Sequence, residues 1–412
     1  MISLIFLFFS LFPHFHSMDY CDSKDVSPSS TQMSLQSLSS IDPLAICNDG
    51  TSGVYYFSPA LSANYSDYFV IHLPGGSQCW DELSCNQRWN NSRNYMSSNG
   101  LNESCYKTGI LDSSEKISPL WGINKVMLAY CSSDAYMGDV GASNDTWGWH
   151  MRGQRLVYAM IQHLILNHGL NKNSKILISG GSAGARGVMV LIDELVANHL
   201  PKGANVVGFL DSPYYIDIKP FSANFVGFPY QEQQKLKHYN VKKVLSEECK
   251  NKYPGDENWK CLFGQFRIPL LKTPYFMVAS QYDAYQLYYN VNKFPPYKDN
   301  ATLDYVNNFG NMTQNLLLGL AAMGKEGISY YSWTCFNHDV SESLGFVYYS
   351  VSSGVNQRDA LEEYLKSVGF FSPNENLMEE LLGLYNDHRN LTRKTKSWID
   401  ICVGFECGGC DG

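Results

Sequence analysis

The chain of 412 residues is short of charge, with Asp, Glu, Lys and Arg making up only 17% of it. Acidic residues outnumber basic ones by 39 to 31, for a formal net charge of −8. Nucleic acid calls for a basic face, so that class of partner is not expected. No internal repeat is visible. Long apolar runs are also scarce. Beyond the first residues none is long enough to span a bilayer, which takes about 20 apolar residues. No hydrophobic tail follows Cys410, so a glycolipid anchor is not expected either. What is present is core material: 44% of the residues are apolar, which excludes long-range disorder. The length allows one large domain or two to three ordinary ones. Aromatics reach 14%, with 28 tyrosines, a composition that suits strands and clefts.

Residues 1–17 are apolar from Ile2 to Phe12 and break at Pro13. That length suits the apolar stretch of a secretory signal peptide, although no Lys or Arg precedes it and Phe15 is bulky for a cleavage position. A buried N-terminal strand or helix is the other reading. Twelve cysteines form an even set, which reads as disulfides in an oxidising compartment. The short spacings Cys79–Cys85 and Cys249–Cys261 suit local pairs, and the remaining connectivity stays open. Glycosylation sequons stand at Asn64, Asn90, Asn102, Asn144, Asn300, Asn311 and Asn390. The ending Cys407-Gly-Gly-Cys410 resembles half of a zinc site. A second ligand pair is wanting, since only Cys402 offers itself, so neither metal nor cofactor is expected.

Residues 18–45 are polar and Ser-rich and are expected to form a flexible arm. From residue 46 onward short apolar runs recur, at 68–73, 125–130, 175–179, 206–210, 275–279 and 329–333. Each is closed by a breaker, as strands buried on both faces would be. Helical spacing appears at 153–166, with Leu156, Met160, His163 and Leu164, and at 183–200, with Val188, Leu191, Ile192, Leu195 and Val196. Strands alternating with helices predict an α/β domain over 46–412 with a mostly parallel central sheet. Less regular stretches at 214–265 and 286–325 read as lid-like insertions over the C-terminal strand ends.

The strongest local signal is Gly180-Gly181-Ser182-Ala183-Gly184. It fits G-x-S-x-G with a strand before it and a helix after it, the context in which such a turn exposes a serine hydroxyl. Neither a P-loop lysine nor GxGxxG spacing is present, so a phosphate-binding reading fails. A serine hydroxyl needs a base to take its proton and an acid to orient that base. In the α/β-hydrolase order Ser, then Asp or Glu, then His, Asp283 follows the fifth strand and His338 the sixth. Asp211, after the fourth strand, is the rival acid; Asp339 reads as a neighbour without a role. A developing oxyanion needs N–H donors, which Ala183 and the Leu73-Pro74-Gly75-Gly76-Ser77 loop are placed to supply.

On these residues the sequence resembles the Notum and pectin acetylesterase family of serine carboxylesterases. The shared motifs are CNDG (47–50), LPGGSQCW (73–80), YCSSD (130–134), GGSAGARG (180–187), DENWKCLFG (256–264), SQYDAYQL (280–287), CFNHD (335–339) and the Cys402/Cys407/Cys410 tail. The resemblance implies Ser182 as nucleophile, Asp283 as orienting acid, His338 as base, and an oxyanion hole from the amides of Gly76, Ser77 and Ala183. It also implies an α/β-hydrolase-type fold and a secreted enzyme without a metal. CNDG, YCSSD, CFNH and Gly187-Val188-Met189-Val190 look more like the Notum branch, which removes palmitoleate from Wnt proteins through a large apolar pocket. Departures fall at Ser77 and Gln78, where that branch carries bulky aromatics, at Pro74, where a Glu is usual, and in 212–230, which lacks extra cysteines. Leu262 and Phe263 are expected to line an apolar pocket.

The expected function is therefore a secreted, glycosylated carboxylic ester hydrolase. A protein O-acyl deacylase of palmitoleoyl type stands first and a polysaccharide O-acetylesterase second. A catalytically silent hydrolase fold that binds a ligand or receptor is the reading of another class.

Overall fold

The computed structural model describes residues 29–371 and 396–402, together with Cys21, Gly404, Cys407 and Cys410. The expected signal segment and the sequon at Asn390 lie outside the described residues. Ten strands are described: β1 (Thr31–Ser37), β2 (Val54–Ser58), β3 (Tyr68–Leu73), β4 (Ser104–Lys107), β5 (Asn124–Leu128), β6 (Lys175–Gly181), β7 (Asn205–Asp211), β8 (Tyr275–Val278), β9 (Ile328–Ser332) and β10 (Trp398–Ile399). They form one sheet in the order β10-β9-β8-β7-β6-β3-β5-β2-β1-β4. From β10 to β5 every neighbouring pair is parallel. The three strands beyond β5 pair antiparallel.

The continuous apolar runs behave as their pattern demands. All six residues of β3 and all five of β5 are buried. Alternate residues feed opposite cores, as the pleat requires. Phe69, Ile71, Ile176 and Ile178 join one cluster, with Leu156, Met160, Leu164, Val188, Leu191, Ile192 and Leu195 from the helices Gly153–Asn167 and Ala183–Asn198. Val70, Leu177, Val207, Phe209 and Phe276 join the other, with Leu361, Tyr364 and Phe370 behind them. The sheet is thus covered on both faces, the α/β arrangement the sequence predicts.

The Ser-rich stretch at 18–45 departs from its expectation. Part of it is β1, which lies between β2 and β4 rather than hanging as an arm. Thr31 and Met33 are buried while Gln32 and Ser34 face solvent, so a period of two runs through the polar composition. A disulfide joins Cys21 to Cys105 in β4.

The other bridges are Cys47–Cys131, Cys79–Cys85, Cys249–Cys261, Cys335–Cys410 and Cys402–Cys407, and no described cysteine is free. The two short pairs read from spacing are present. Cys407 and Cys410 go to different partners, so they do not act as one chelating pair.

The helix Ala183–Asn198 approaches the end of β3 so closely that a Cβ on Gly184 would lie 1.7 Å from the Leu73 carbonyl oxygen. Gly184→Ala therefore forces helix and strand apart. We expect it to lower the unfolding free energy by about 1–3 kcal/mol, read as a lower urea midpoint. An unchanged midpoint would contradict this close packing.

Candidate active site

Because the strands from β10 to β5 run the same way, the loops after β3, β6, β7, β8 and β9 all emerge on one edge of the sheet. Ser182 follows β6 in a left-handed conformation, φ 48° and ψ −114°, and the helix Ala183–Asn198 begins at the next residue. A non-glycine residue holds such a backbone only where its surroundings enforce it. Here the Ser182 amide donates to the Asp211 carbonyl at 2.8 Å, and Arg186 returns a helical bond to the Ser182 carbonyl at 3.0 Å. A Cβ on Gly181 would lie 2.2 Å from the Asp339 carboxyl, which explains the glycine before the serine.

The structure brings Ser182, His338 and Asp283 together. Ser182 Oγ lies 2.7 Å from His338 Nε2, and His338 Nδ1 lies 2.7 Å from Asp283 Oδ2. An ionised carboxylate only accepts, so Nδ1 carries the proton and Nε2 is left to accept from the serine hydroxyl. The other Asp283 oxygen accepts the Gln286 amide at 2.8 Å and caps the helix Ala284–Val291. The helix N-terminus and this second bond fix the carboxylate. The loops after β8 and β9 are stitched together by Ser280 Oγ to the Cys335 carbonyl (2.6 Å) and the Ala284 amide to the Asn337 carbonyl (3.2 Å). All three side chains are nearly covered, and Ser182 is only 6% exposed.

The rival acid, Asp211, points elsewhere. Its Oδ2 accepts the amides of Val340 and Ser341 at 3.0 and 2.9 Å, holding the segment just beyond His338. Asp339 packs its carboxyl against Gly75 and Gly181. Burial and the nearby Glu342 and Asp211 carboxyls push Asp339 well above the usual carboxylate range.

After β3, Gly76 and Ser77 take φ values of 131° and 61°. The amides of Gly76, Ser77 and Ala183 meet no protein acceptor among the described residues. The loop is anchored by its carbonyls: Tyr136 Oη donates to Pro74 O at 3.0 Å and Tyr130 Oη to Ser77 O at 2.8 Å. Ser77 Oγ lies 2.8 Å from Tyr285 Oη, and the Tyr285 ring stacks on His338 at 5.1 Å between centroids. Gln78 is the hub of a buried network. Its Oε1 accepts from Lys235 Nζ (2.8 Å) and Arg186 Nη1 (3.2 Å), while its Nε2 donates to Gln231 and Glu232. Burial and the Arg186 charge lower the Lys235 ammonium to about 8.

The two residues expected to line a pocket divide. Leu262 is fully buried in the main core cluster. Its place at the end of a 3₁₀ segment, Gly255–Leu262, turns it inward beside the Cys249–Cys261 bridge. Phe263 joins Tyr215, Phe228 and Trp259 in a separate aromatic cluster flanked by Tyr285 and Tyr289. Tyr215 carries that cluster to the site, with its ring edge-on to His338 at 6.4 Å. The Arg186 guanidinium covers the Tyr215 ring at 4.7 Å. Sequence reading missed Tyr215, Tyr285 and Glu342; of the three only Tyr285 stands inside a shared motif, SQYDAYQL (280–287).

Glu342 lies beneath the loop after β3, 3.1 Å from His72 Nε2 and 3.5 Å from Lys107 Nζ, and accepts the Gly75 amide at 3.3 Å. Burial alone would raise its pKa, but His72 and Lys107 hold it at about 2. A depressed carboxyl stabilises the fold above its unfolded value and loses that contribution as pH falls towards the folded value. Glu342→Gln should therefore show a smaller loss of urea midpoint than the parent between pH 4.5 and 2, the window set by those two values. Equal losses in both proteins would contradict the pairing.

The sequence pattern of a family described as Pectinacetylesterase matches residues 26–372. Palmitoleoyl-protein carboxylesterase notum2 of Xenopus laevis is 29% identical over 254 residues, 59% of this chain and 51% of that protein. Palmitoleoyl-protein carboxylesterase NOTUM of Drosophila melanogaster is 30% identical over 249 residues, 58% of this chain and 36% of that protein. Pectin acetylesterase 7 of Arabidopsis thaliana is 27% identical over 244 residues, 59% of this chain and 60% of that protein. The matched region thus spans between a third and three-fifths of these relatives' own length. A solved structure of the Wnt deacylase Notum from Drosophila shares the fold, with a TM-score of 0.77 at 24% identity over 93% of this chain and 100% of that one.

Proposed function

The chain belongs to the pectinacetylesterase family, and from that premise we propose that it is a secreted serine carboxylesterase that hydrolyses an O-acyl ester. The observation that carries the reading is the chain of hydrogen bonds from Ser182 through His338 to Asp283. Ser182 Oγ attacks the ester carbonyl carbon while His338 Nε2 takes its proton. Asp283 holds the imidazole and stabilises its charged form. The amides of Gly76, Ser77 and Ala183 receive the oxyanion. The tetrahedral intermediate expels the alcohol, which takes the proton back from His338. Water, deprotonated by the same imidazole, then attacks the acyl-enzyme and releases the acid.

For the acyl group, the first reading is a lipid-type acyl chain on a secreted protein. The apolar cluster of Tyr215, Phe228, Trp259 and Phe263 beside His338 supports it, as do the relatives named as palmitoleoyl-protein carboxylesterases. A second reading, removal of O-acetyl groups from a polysaccharide, is favoured by the tight mutual packing of those rings. Tyr215 packs on Phe228 and Phe263 at 4.9 and 6.4 Å between ring centroids, and Ser182 is 6% exposed. Secretion is supported by the six disulfides and by the exposure of all six described sequon asparagines. Among the described residues no helix is long and apolar enough to cross a membrane.

Hydrolysis of p-nitrophenyl esters from acetate to decanoate tests both levels. Ser182→Ala and His338→Ala should each lower kcat/KM by about 1,000-fold or more without moving the unfolding midpoint. A folded Ser182→Ala protein with full activity would remove the assignment, and a wild type inert to every ester would favour the silent binding protein. The first reading expects the rate to peak at medium chain length; a sharp preference for acetate would establish the second.

A further inference from the structure

We propose that Glu342 is a positioning residue that ties the oxyanion loop to the histidine loop, an inference that rests on the esterase reading above. Three parts of the site must keep their relative places for acyl transfer: the serine after β6, the base after β9 and the amides after β3. They come from strands far apart in the chain. Glu342 belongs to the histidine segment, contacts the loop after β3 directly and reaches the serine strand through His72. It lies four residues beyond His338, on the segment whose Val340 and Ser341 amides are held by Asp211. Its Oε1 accepts the amide of Gly75, the neighbour of Gly76. His72, 3.1 Å from that oxygen, turns its Nδ1 to Ser179 Oγ at 2.6 Å, three residues before Ser182.

The loop needs such an anchor. Gly76 and Ser77 both hold positive φ, and among the described residues their amides meet no acceptor that would keep them in place. The tyrosines Tyr136 and Tyr130 hold carbonyls of the loop, whereas Glu342 holds an amide at its start. A carboxylate beneath an oxyanion site would oppose the developing negative charge if it stood alone. Lys107 Nζ, 3.5 Å from Oε2, offsets it. The arrangement supplies a rigid, charge-compensated strut rather than a second anion at the site.

Donors that are preorganised for the oxyanion lower the barrier more than they strengthen substrate binding. Loosening the strut should therefore reduce kcat and leave KM in place. We expect Glu342→Ala to lower kcat for a p-nitrophenyl ester by about 10- to 100-fold, with KM changed less than threefold. Affinity for a phenylboronic acid, which forms a tetrahedral anion on the serine, should fall in parallel. Glu342→Gln retains an acceptor for the Gly75 amide and should restore most of kcat. Should Glu342→Ala not fold, the double variant Lys107→Met/Glu342→Leu removes both charges at once and carries the same kinetic test. An active wild type whose folded variant keeps kcat within twofold, or loses only in KM, would overturn the positioning role alone. A wild type that hydrolyses no ester would instead overturn the esterase reading beneath it.

Discussion

Everything at the site depends on one backbone constraint, the left-handed turn that Ser182 occupies between β6 and the helix Ala183–Asn198. A conformation of this kind is worth roughly 1–3 kcal/mol of strain on its own. It persists because the parallel sheet over-determines it. The Ser182 amide is held by the carbonyl of Asp211 on the neighbouring strand, and the helix that follows packs against β3 at van der Waals limits through Gly184. With the serine fixed, the common direction of β3, β6, β8 and β9 brings the other loops to it. Asp283 is fixed in turn by capping the helix it begins, and His338 is fixed by Asp283.

Around this centre the chain buries charge in two compensated sets. One lies beneath the loop after β3, where Glu342 meets His72 and Lys107. The other lies behind Gln78, where Glu232 pairs with Arg186 and Lys235. Buried ions are expensive unless paired and hydrogen-bonded, and the geometry of such pairs specifies one arrangement over others. The two sets flank the Gly75–Ser77 segment on either side along the chain. They convert a glycine-containing loop, flexible in isolation, into a defined surface facing Ser182.

The sheet centre and the serine, aspartate and histidine were legible because each depends on local pattern. Continuous apolar runs marked β3, β5, β6, β7, β8 and β9, and G-x-S-x-G between a strand and a helix marked Ser182. The order Ser, Asp, His then selected Asp283 and His338. The flanks were not legible. β1 hides a period of two under Ser and Gln, and β10 is two residues long. Leu262 and Phe263 are adjacent in sequence yet enter different cores, because a 3₁₀ turn separates their directions. Glu342 and Tyr285 meet the loop after β3 across more than 200 residues of chain, a pairing that no local pattern encodes.

Activation of the Ser182 hydroxyl by His338, 2.7 Å away, is open to direct chemical test. The most direct measurement is reaction of the folded protein with a fluorophosphonate, followed by peptide mass spectrometry to locate the adduct. A single modified residue, Ser182, is expected, with no adduct in a folded His338→Ala variant. Modification at another residue, or a folded wild type that stays unmodified, would contradict it.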